Sequence, residues 1–280
     1  MGIVWGLLTA CAIGFADLFA RRIVHTSGAL VAGVSLQAVA IVTSLAAVLV
    51  VPSTFAWADL GLGLASGIGM GIGMWGYLGG LERSTATVCA PIVATISTVI
   101  PYLYAVARGA SVSGLGVMGA LLAVAGLIVI TVGRTRDDSA RRPANVRVGV
   151  RWAVISGCGY GFGLSIVLDA SDASGSWPAF GQRITAFALI AVACRSAKLD
   201  LVPPIGFRTA AIIAGIITGL STVFYLLGLE VDATGTVIAA SVFPAISVLV
   251  GRVWYGDALT PRQVGGVAIV VAGVAALAIG

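Results

Sequence analysis

Charge is what this 280-residue chain has least of: 16 Lys and Arg, 11 Asp and Glu and one histidine leave only 10% of it charged, against 59% hydrophobic. Soluble domains carry about a quarter charged residues, and a mean hydropathy of +1.08 excludes one here. The lone histidine, His25, falls in a predicted loop with no second ligand beside it, and Cys11, Cys89, Cys158 and Cys194 each lie inside an apolar stretch. Neither pattern supports a metal site or a disulfide framework, so no cofactor and no metal are expected. No phosphate-cradling loop of the Walker type occurs, which excludes an ATP-driven pump built on one. Short alternating strands are missing as well, which excludes a β-barrel.

What the chain has instead is ten apolar stretches, near residues 2–20, 29–51, 60–81, 86–107, 114–133, 152–168, 177–194, 209–229, 233–254 and 263–280. Each approaches the roughly 20 residues that cross a hydrocarbon core as helix, the form in which lipid-exposed backbone satisfies itself. The stretches repeat at a shift of 147 residues: Trp5, Cys11, Gly14 and Phe15 return as Trp152, Cys158, Gly161 and Phe162, and Ser27-Gly28 as Ser174-Gly175. Ala86-Thr87 returns as Ala233-Thr234, Gly109 as Gly256, and Gly119, Gly126 and Gly133 as Gly266, Gly273 and Gly280. The first stretch therefore belongs to the mature fold, and its Arg21-Arg22 pair follows the apolar run, unlike the basic start of a secretory signal. The expected fold is an all-α membrane protein of ten transmembrane helices in two inverted five-helix repeats, 1–133 and 151–280, joined by a basic linker at 134–150.

The arginines of that linker, Arg134, Arg136, Arg141, Arg142 and Arg147 with Arg151 beyond it, suit a loop beside anionic lipid headgroups better than nucleic acid, which is not an expected partner. Arg21, Arg22, Arg83, Arg195, Lys198, Arg208, Arg252 and Arg262 also follow odd-numbered stretches, whereas Arg108 alone follows an even-numbered one. The positive-inside rule puts the linker face in the cytoplasm.

Few polar residues interrupt the apolar stretches. Arg183, beside Gln182, sits well inside the seventh, where a cation costs roughly 2.5–3.5 kcal/mol on insertion scales. It is either an anchor for an anionic or carboxylate-bearing solute or half of a structural pair, and Gln37 in the second stretch is placed to face it across a pseudo-two-fold axis. Asp17, the other intramembrane charge, is a candidate for proton coupling, although Arg21 one helical turn on makes a helix-end ion pair the plainer reading. Glu82, Glu230 and Asp232 read as helix-end acids. The third stretch, rich in glycine from Gly61 to Gly80, can pack at backbone distance and carries Trp75 and Tyr77 as its bulky groups. Tyr225 repeats Tyr77. With Tyr102 and Trp177 these aromatics are candidates for the apolar part of a solute, and Pro91, Pro101 and Pro244 are candidates for kinks at a binding site or gate.

The run Tyr77-Leu-Gly-Gly-Leu-Glu-Arg-Ser-Thr-Ala-Thr-Val-Cys-Ala-Pro91, its counterpart Tyr225-Leu-Leu-Gly-Leu-Glu-Val-Asp-Ala-Thr-Gly-Thr-Val, and Tyr255-Gly-Asp-Ala-Leu-Thr-Pro-Arg-Gln-Val-Gly-Gly resemble segments of the drug/metabolite transporter superfamily, specifically its EamA-type members. Asp257 stands where that family has Glu, the first half has lost the acid, and the family's Trp-Gly of the first helix is Ile13-Gly14 and Tyr160-Gly161 here. An arginine common in the family's second helix is kept only as Arg183. Members usually have cytoplasmic termini, the reverse of what the charge count gives. The resemblance implies a multi-pass protein of the bacterial inner membrane, not an enzyme, that moves a small organic metabolite such as an amino acid by alternating access. As exporter or exchanger it would work as monomer or homodimer, with the bilayer and the solute as its partners. A membrane-embedded lipid-processing enzyme and a non-transporting scaffold are the alternatives; the first would need clustered His, Asp, Glu or Cys at membrane depth, where the chain offers scattered single residues.

Overall fold

The computed structural model describes residues 1–109, 113–132, 145–240, 242–257 and 259–279. Among them every long element is helical: α1 (Gly2–Val50), α2 (Trp57–Arg83), α3 (Ala86–Ala107), α4 (Gly114–Val132), α5 (Val146–Val167), α6 (Trp177–Ser196), α7 (Ile205–Ala240), α8 (Phe243–Tyr255) and α9 (Pro261–Ile279). Among the described residues, five segments are long and apolar enough to cross a bilayer: α1, α3, α5, α6 and Ile205–Asp232 of α7.

Local chemistry accounts for the breaks. Gly28 has φ +83°, a left-handed conformation that glycine adopts without penalty, and it divides α1 into two segments. The second segment starts with an unsatisfied Ala29 N–H, which donates to Glu82 Oε2 at 3.3 Å. Asp232 is extended and divides α7; its Oδ1 accepts from Gly235 N–H at 3.0 Å, capping the helix that resumes after it. Pro244 lies in the first turn of α8, where its missing N–H costs nothing, so it starts a helix and does not kink one. Pro91 and Pro101 both lie within the continuous helix α3.

The predicted boundaries shift accordingly. His25 lies inside α1 and not in a loop. Helix α5 begins six residues before the stretch that predicts it, because Asn145 Oδ1 caps Val148 N–H at 3.2 Å. This takes the last residues of the 134–150 linker into helix; 134–144 lie outside the described residues, as do Gly133 and Gly280.

Glycine sets the distance between helices. A Cβ on Gly69 would fall 2.5 Å from the Gly159 carbonyl oxygen, and one on Gly159 would fall 2.6 Å from Gly73 N, so α2 and α5 touch backbone to backbone. Gly119 meets Gly273 and Gly126 meets Gly266 where α4 crosses α9. Large apolar side chains face outward as well as into the core. Val42, Leu121, Phe162 and Val192 are exposed, while Gln37, Ser66, Thr87, Ser156 and Ser247 are buried. Apolar side chains facing outward and polar groups gathered inside is the arrangement a bilayer requires.

Gly159→Ala should force α2 and α5 apart and cost about 1–3 kcal/mol, read as a lower midpoint of thermal unfolding in detergent. Gly265→Ala, where an added Cβ meets nothing within 4 Å, should leave the midpoint unchanged.

Candidate functional site

Two polar clusters lie inside the bundle at different heights along α2. The first is built on Asp17, which is 8% exposed. Its Oδ2 accepts two hydroxyl hydrogen bonds of 2.6 Å, from Tyr77 on α2 and from Ser247 on α8. The expected pair between Asp17 and Arg21 is replaced: Arg21 forms a two-pronged ion pair with Asp257, Nη1 to Oδ2 at 2.7 Å and Nη2 to Oδ1 at 2.9 Å. A guanidinium fork satisfies both oxygens of a carboxylate placed end-on, and the segment after α8 offers Asp257 in that position. A narrow crevice lined by Asp17, Arg21, Ala86, Ser247, Val250 and Tyr255 lies beside the Asp17 carboxylate and has no room for a solute.

The second cluster is centred on Arg183 of α6, 7% exposed. Its Nη1 donates to Gln37 Oε1 at 3.1 Å and its Nη2 to Thr222 Oγ1 at 3.0 Å. Gln37 is fully buried, and its amide nitrogen has no hydrogen-bond partner among the described residues. Beside it Gln182 Nε2 donates to Ser66 Oγ at 2.5 Å, and Ser66 Oγ donates to the Gly163 carbonyl at 2.7 Å. The ion pairs of the described residues are Arg21 with Asp257, Arg83 with Glu82 and Arg108 with Asp169; Arg183 is in none of them. It is a buried cation held by neutral oxygens.

Gln37 and Arg183 thus meet, Gln182 turns to Ser66 on α2, and Tyr77 joins Asp17 in the other cluster. Tyr225 is half-buried one helical turn from Thr222 on α7. The remaining aromatic candidates lie elsewhere. Trp75 is 38% exposed and packs edge-on against Trp152, with ring centroids 4.9 Å apart. Trp177 joins Phe55 and Phe180 in an aromatic group at the start of α6. The Tyr102 hydroxyl is buried against Gly116 of α4, without a hydrogen-bond partner among the described residues. Ser247, Thr222 and Ser66 were not legible as site residues, since small hydroxyls are common in membrane helices and only their partners single them out.

No family model matches the chain, and no curated protein matches it. A solved structure, described only as "Crystal structure of protein", superposes with a TM-score of 0.61 at 18% sequence identity, covering 96% of this chain and 96% of that one. The likeness is one of fold.

Tyr77→Phe removes one of two hydroxyls from the Asp17 carboxylate and should cost about 1.5–3 kcal/mol, whereas Tyr102→Phe removes an unpartnered hydroxyl and should be neutral or stabilising. Denaturation of the two variants in the same detergent checks both.

Proposed function

We propose that this protein is a multi-pass secondary transporter of the drug/metabolite type, moving a small organic solute with a carboxylate or other anionic group by alternating access across a bacterial inner membrane. The observation that carries the reading is Arg183, a cation buried between α1, α6 and α7 with only Gln37 and Thr222 as hydrogen-bond partners among the described residues. A buried guanidinium is expensive without a counter-charge, and an anionic solute supplies one when the helices part. The unpartnered Gln37 amide beside it offers a further donor. Tyr225 lies near enough along α7 to cover an apolar portion of the solute.

The breaks at Gly28 and Asp232 support a ten-span arrangement, with α1 counted as two spans and residues 233–240 joined to α8 as one. The contacts support an inverted repeat. Shifting by 147 residues exchanges the Gly119–Gly273 crossing with the Gly126–Gly266 crossing, and carries Gly2 beside Asp232 to Gly149 beside Ser84, within one residue. The same shift carries 37 to 184 and 183 to 36, so the Gln37–Arg183 contact lies at its own image. A pseudo-two-fold axis through the solute site is how inverted-repeat transporters open alternately to two sides. Asp17 is the candidate for proton coupling. At that shift the images of Asp17, Tyr77 and Ser247 are Leu164, Phe224 (next to Tyr225) and Ile100, so only one half carries the carboxylate.

A thermal-shift screen of purified protein against amino acids, organic acids, nucleosides and amphipathic drugs tests the reading. A carboxylate should raise the midpoint of the wild type by several degrees and lose that effect in Arg183→Gln. Equal stabilisation of both proteins would make Arg183 a structural residue. In proteoliposomes, Asp17→Asn should abolish accumulation driven by a proton gradient while solute exchange persists; undiminished accumulation would remove Asp17 from coupling.

A further inference from the structure

The two ends of the bundle each carry an Arg–Asp–Tyr group that ties the first half of the chain to the second. At the end where α2 finishes, Arg21 pairs with Asp257 through two hydrogen bonds of 2.7 and 2.9 Å. The Arg21 guanidinium lies 4.4 Å from the centre of the Tyr255 ring, and the Tyr255 hydroxyl donates to the Leu18 carbonyl at 2.5 Å. Arg21 Nε also donates to His25 Nε2 at 3.3 Å, and Arg252 Nη1 donates to the Asp257 carbonyl at 3.3 Å. At the end where α2 starts, Arg108 Nη2 pairs with Asp169 Oδ1 at 3.2 Å. There the Tyr104 hydroxyl donates to Asp169 Oδ2 at 2.6 Å, and the guanidinium lies 6.0 Å from the Tyr104 ring centre.

Helix α2 fixes that these ends are opposite. Its Tyr77 and Glu82 touch Asp17 and Ala29, on either side of Arg21, whereas its Asp59 accepts from Ser171 N–H, two residues past Asp169. The 23 residues from 59 to 82 span about 35 Å. The helices joined by the two groups also correspond. The N-terminal segment of α1 lies along the chain from Asp232 to α8, with Gly2 against Asp232, Gly14 against Ile246 and Arg21 on Asp257. Helix α5 lies along α3, with Gly149 against Ser84, Gly161 against Ile100 and Asp169 on Arg108. The groups occupy matching ends of matching helix pairs, yet the sequence repeat does not generate them. The images of Arg21 and Asp257 are Leu168 and Ala110, and the second pair uses neighbouring positions with the acid on the other helix.

Their packing differs sharply. The side chains of Arg21 and Asp257 are 8% and 5% exposed, and those of Arg108 and Asp169 are 65% and 33% exposed. One pair is sealed over the Asp17 crevice and the other is in contact with solvent.

We infer that these two groups are reciprocal clasps, the buried Arg21–Asp257–Tyr255 set closing the Asp17 end and the exposed Arg108–Asp169–Tyr104 set closing the opposite end, so that release of one favours closure of the other. A desolvated two-pronged ion pair resists opening because each charge would be left without its partner, whereas an exposed pair opens at little cost. The difference sets the resting bias towards closure at the Asp17 end. The inference rests on the transport reading, since only a protein that opens to both sides needs both clasps.

The test is the labelling rate of a cysteine placed in the crevice by Val250→Cys, read by mass spectrometry of its peptide, with a charged maleimide on protein in nanodiscs open to both faces. Asp257→Asn should raise that rate on the order of tenfold, and the charge-exchanged pair Arg21→Asp with Asp257→Arg should return it towards the parent value. Arg108→Gln, at an exposed position, should lower it. An unchanged rate in folded Asp257→Asn, or a rise in Arg108→Gln, would overturn the inference. Labelling requires no solute, so loss of the clasps leaves the Arg183 result intact, and a failed solute screen leaves the labelling result to be read alone.

Discussion

An arginine inside a bundle of apolar helices has no water to fall back on, and the interior of this protein is organised around that shortage. Arg183 is held by an amide oxygen at 3.1 Å and a hydroxyl at 3.0 Å, contributed by two other helices. Neutral oxygens offset part of the desolvation and leave the charge uncompensated. A carboxylate in their place would bind the guanidinium more firmly and remove any need for a ligand. Under the proposed transport function, that incompleteness is what gives an anionic solute its differential affinity for the opened helices.

Glycine makes such short polar contacts reachable. The 2.7 Å hydrogen bonds from Ser66 to the Gly163 carbonyl and from Ser156 to the Gly73 carbonyl exist only because α2 and α5 approach to backbone distance. Hydroxyls of short side chains can bridge two helices only across a glycine seam. Around Asp17 of α1, Tyr77 donates from α2 and Ser247 from α8. Packing and polar satisfaction are therefore one constraint: widening a seam unpairs a buried group as well as opening a void.

The two halves of the sequence repeat their glycines and differ in chemistry. Repeated glycines keep the crossings, whereas Asp17, Arg21, Arg183 and Asp257 have no charged image at the 147-residue shift. Under the proposed transport function, the repeated halves supply the geometry of an opening at either end, and the unequal side chains bias one end shut. A strictly symmetric pair would have no resting preference, because exchange of the halves would leave the free energy unchanged.

Composition and periodicity determined the class outright. Ten apolar stretches, the glycine repeat and the scarcity of charge specify helices in lipid, because each stretch meets its own backbone hydrogen bonds and needs no distant partner. The contact of Gln37 with Arg183 was also legible, since the repeat relates their positions. Partnerships across more than two hundred residues were not. Nothing in the sequence near Asp17 names Ser247, and the proximity of Arg21 at one helical turn pointed to the wrong partner, because an i to i+4 pair is weak beside a fork-on-carboxylate contact from Asp257. Trp75 and Trp177 were read by residue type, and only the packed structure turned them away from the polar interior. Local hydrogen bonding fixes which segments are helical, while the pairing of buried charges is decided by the three-dimensional meeting of helices that the chain order does not reveal.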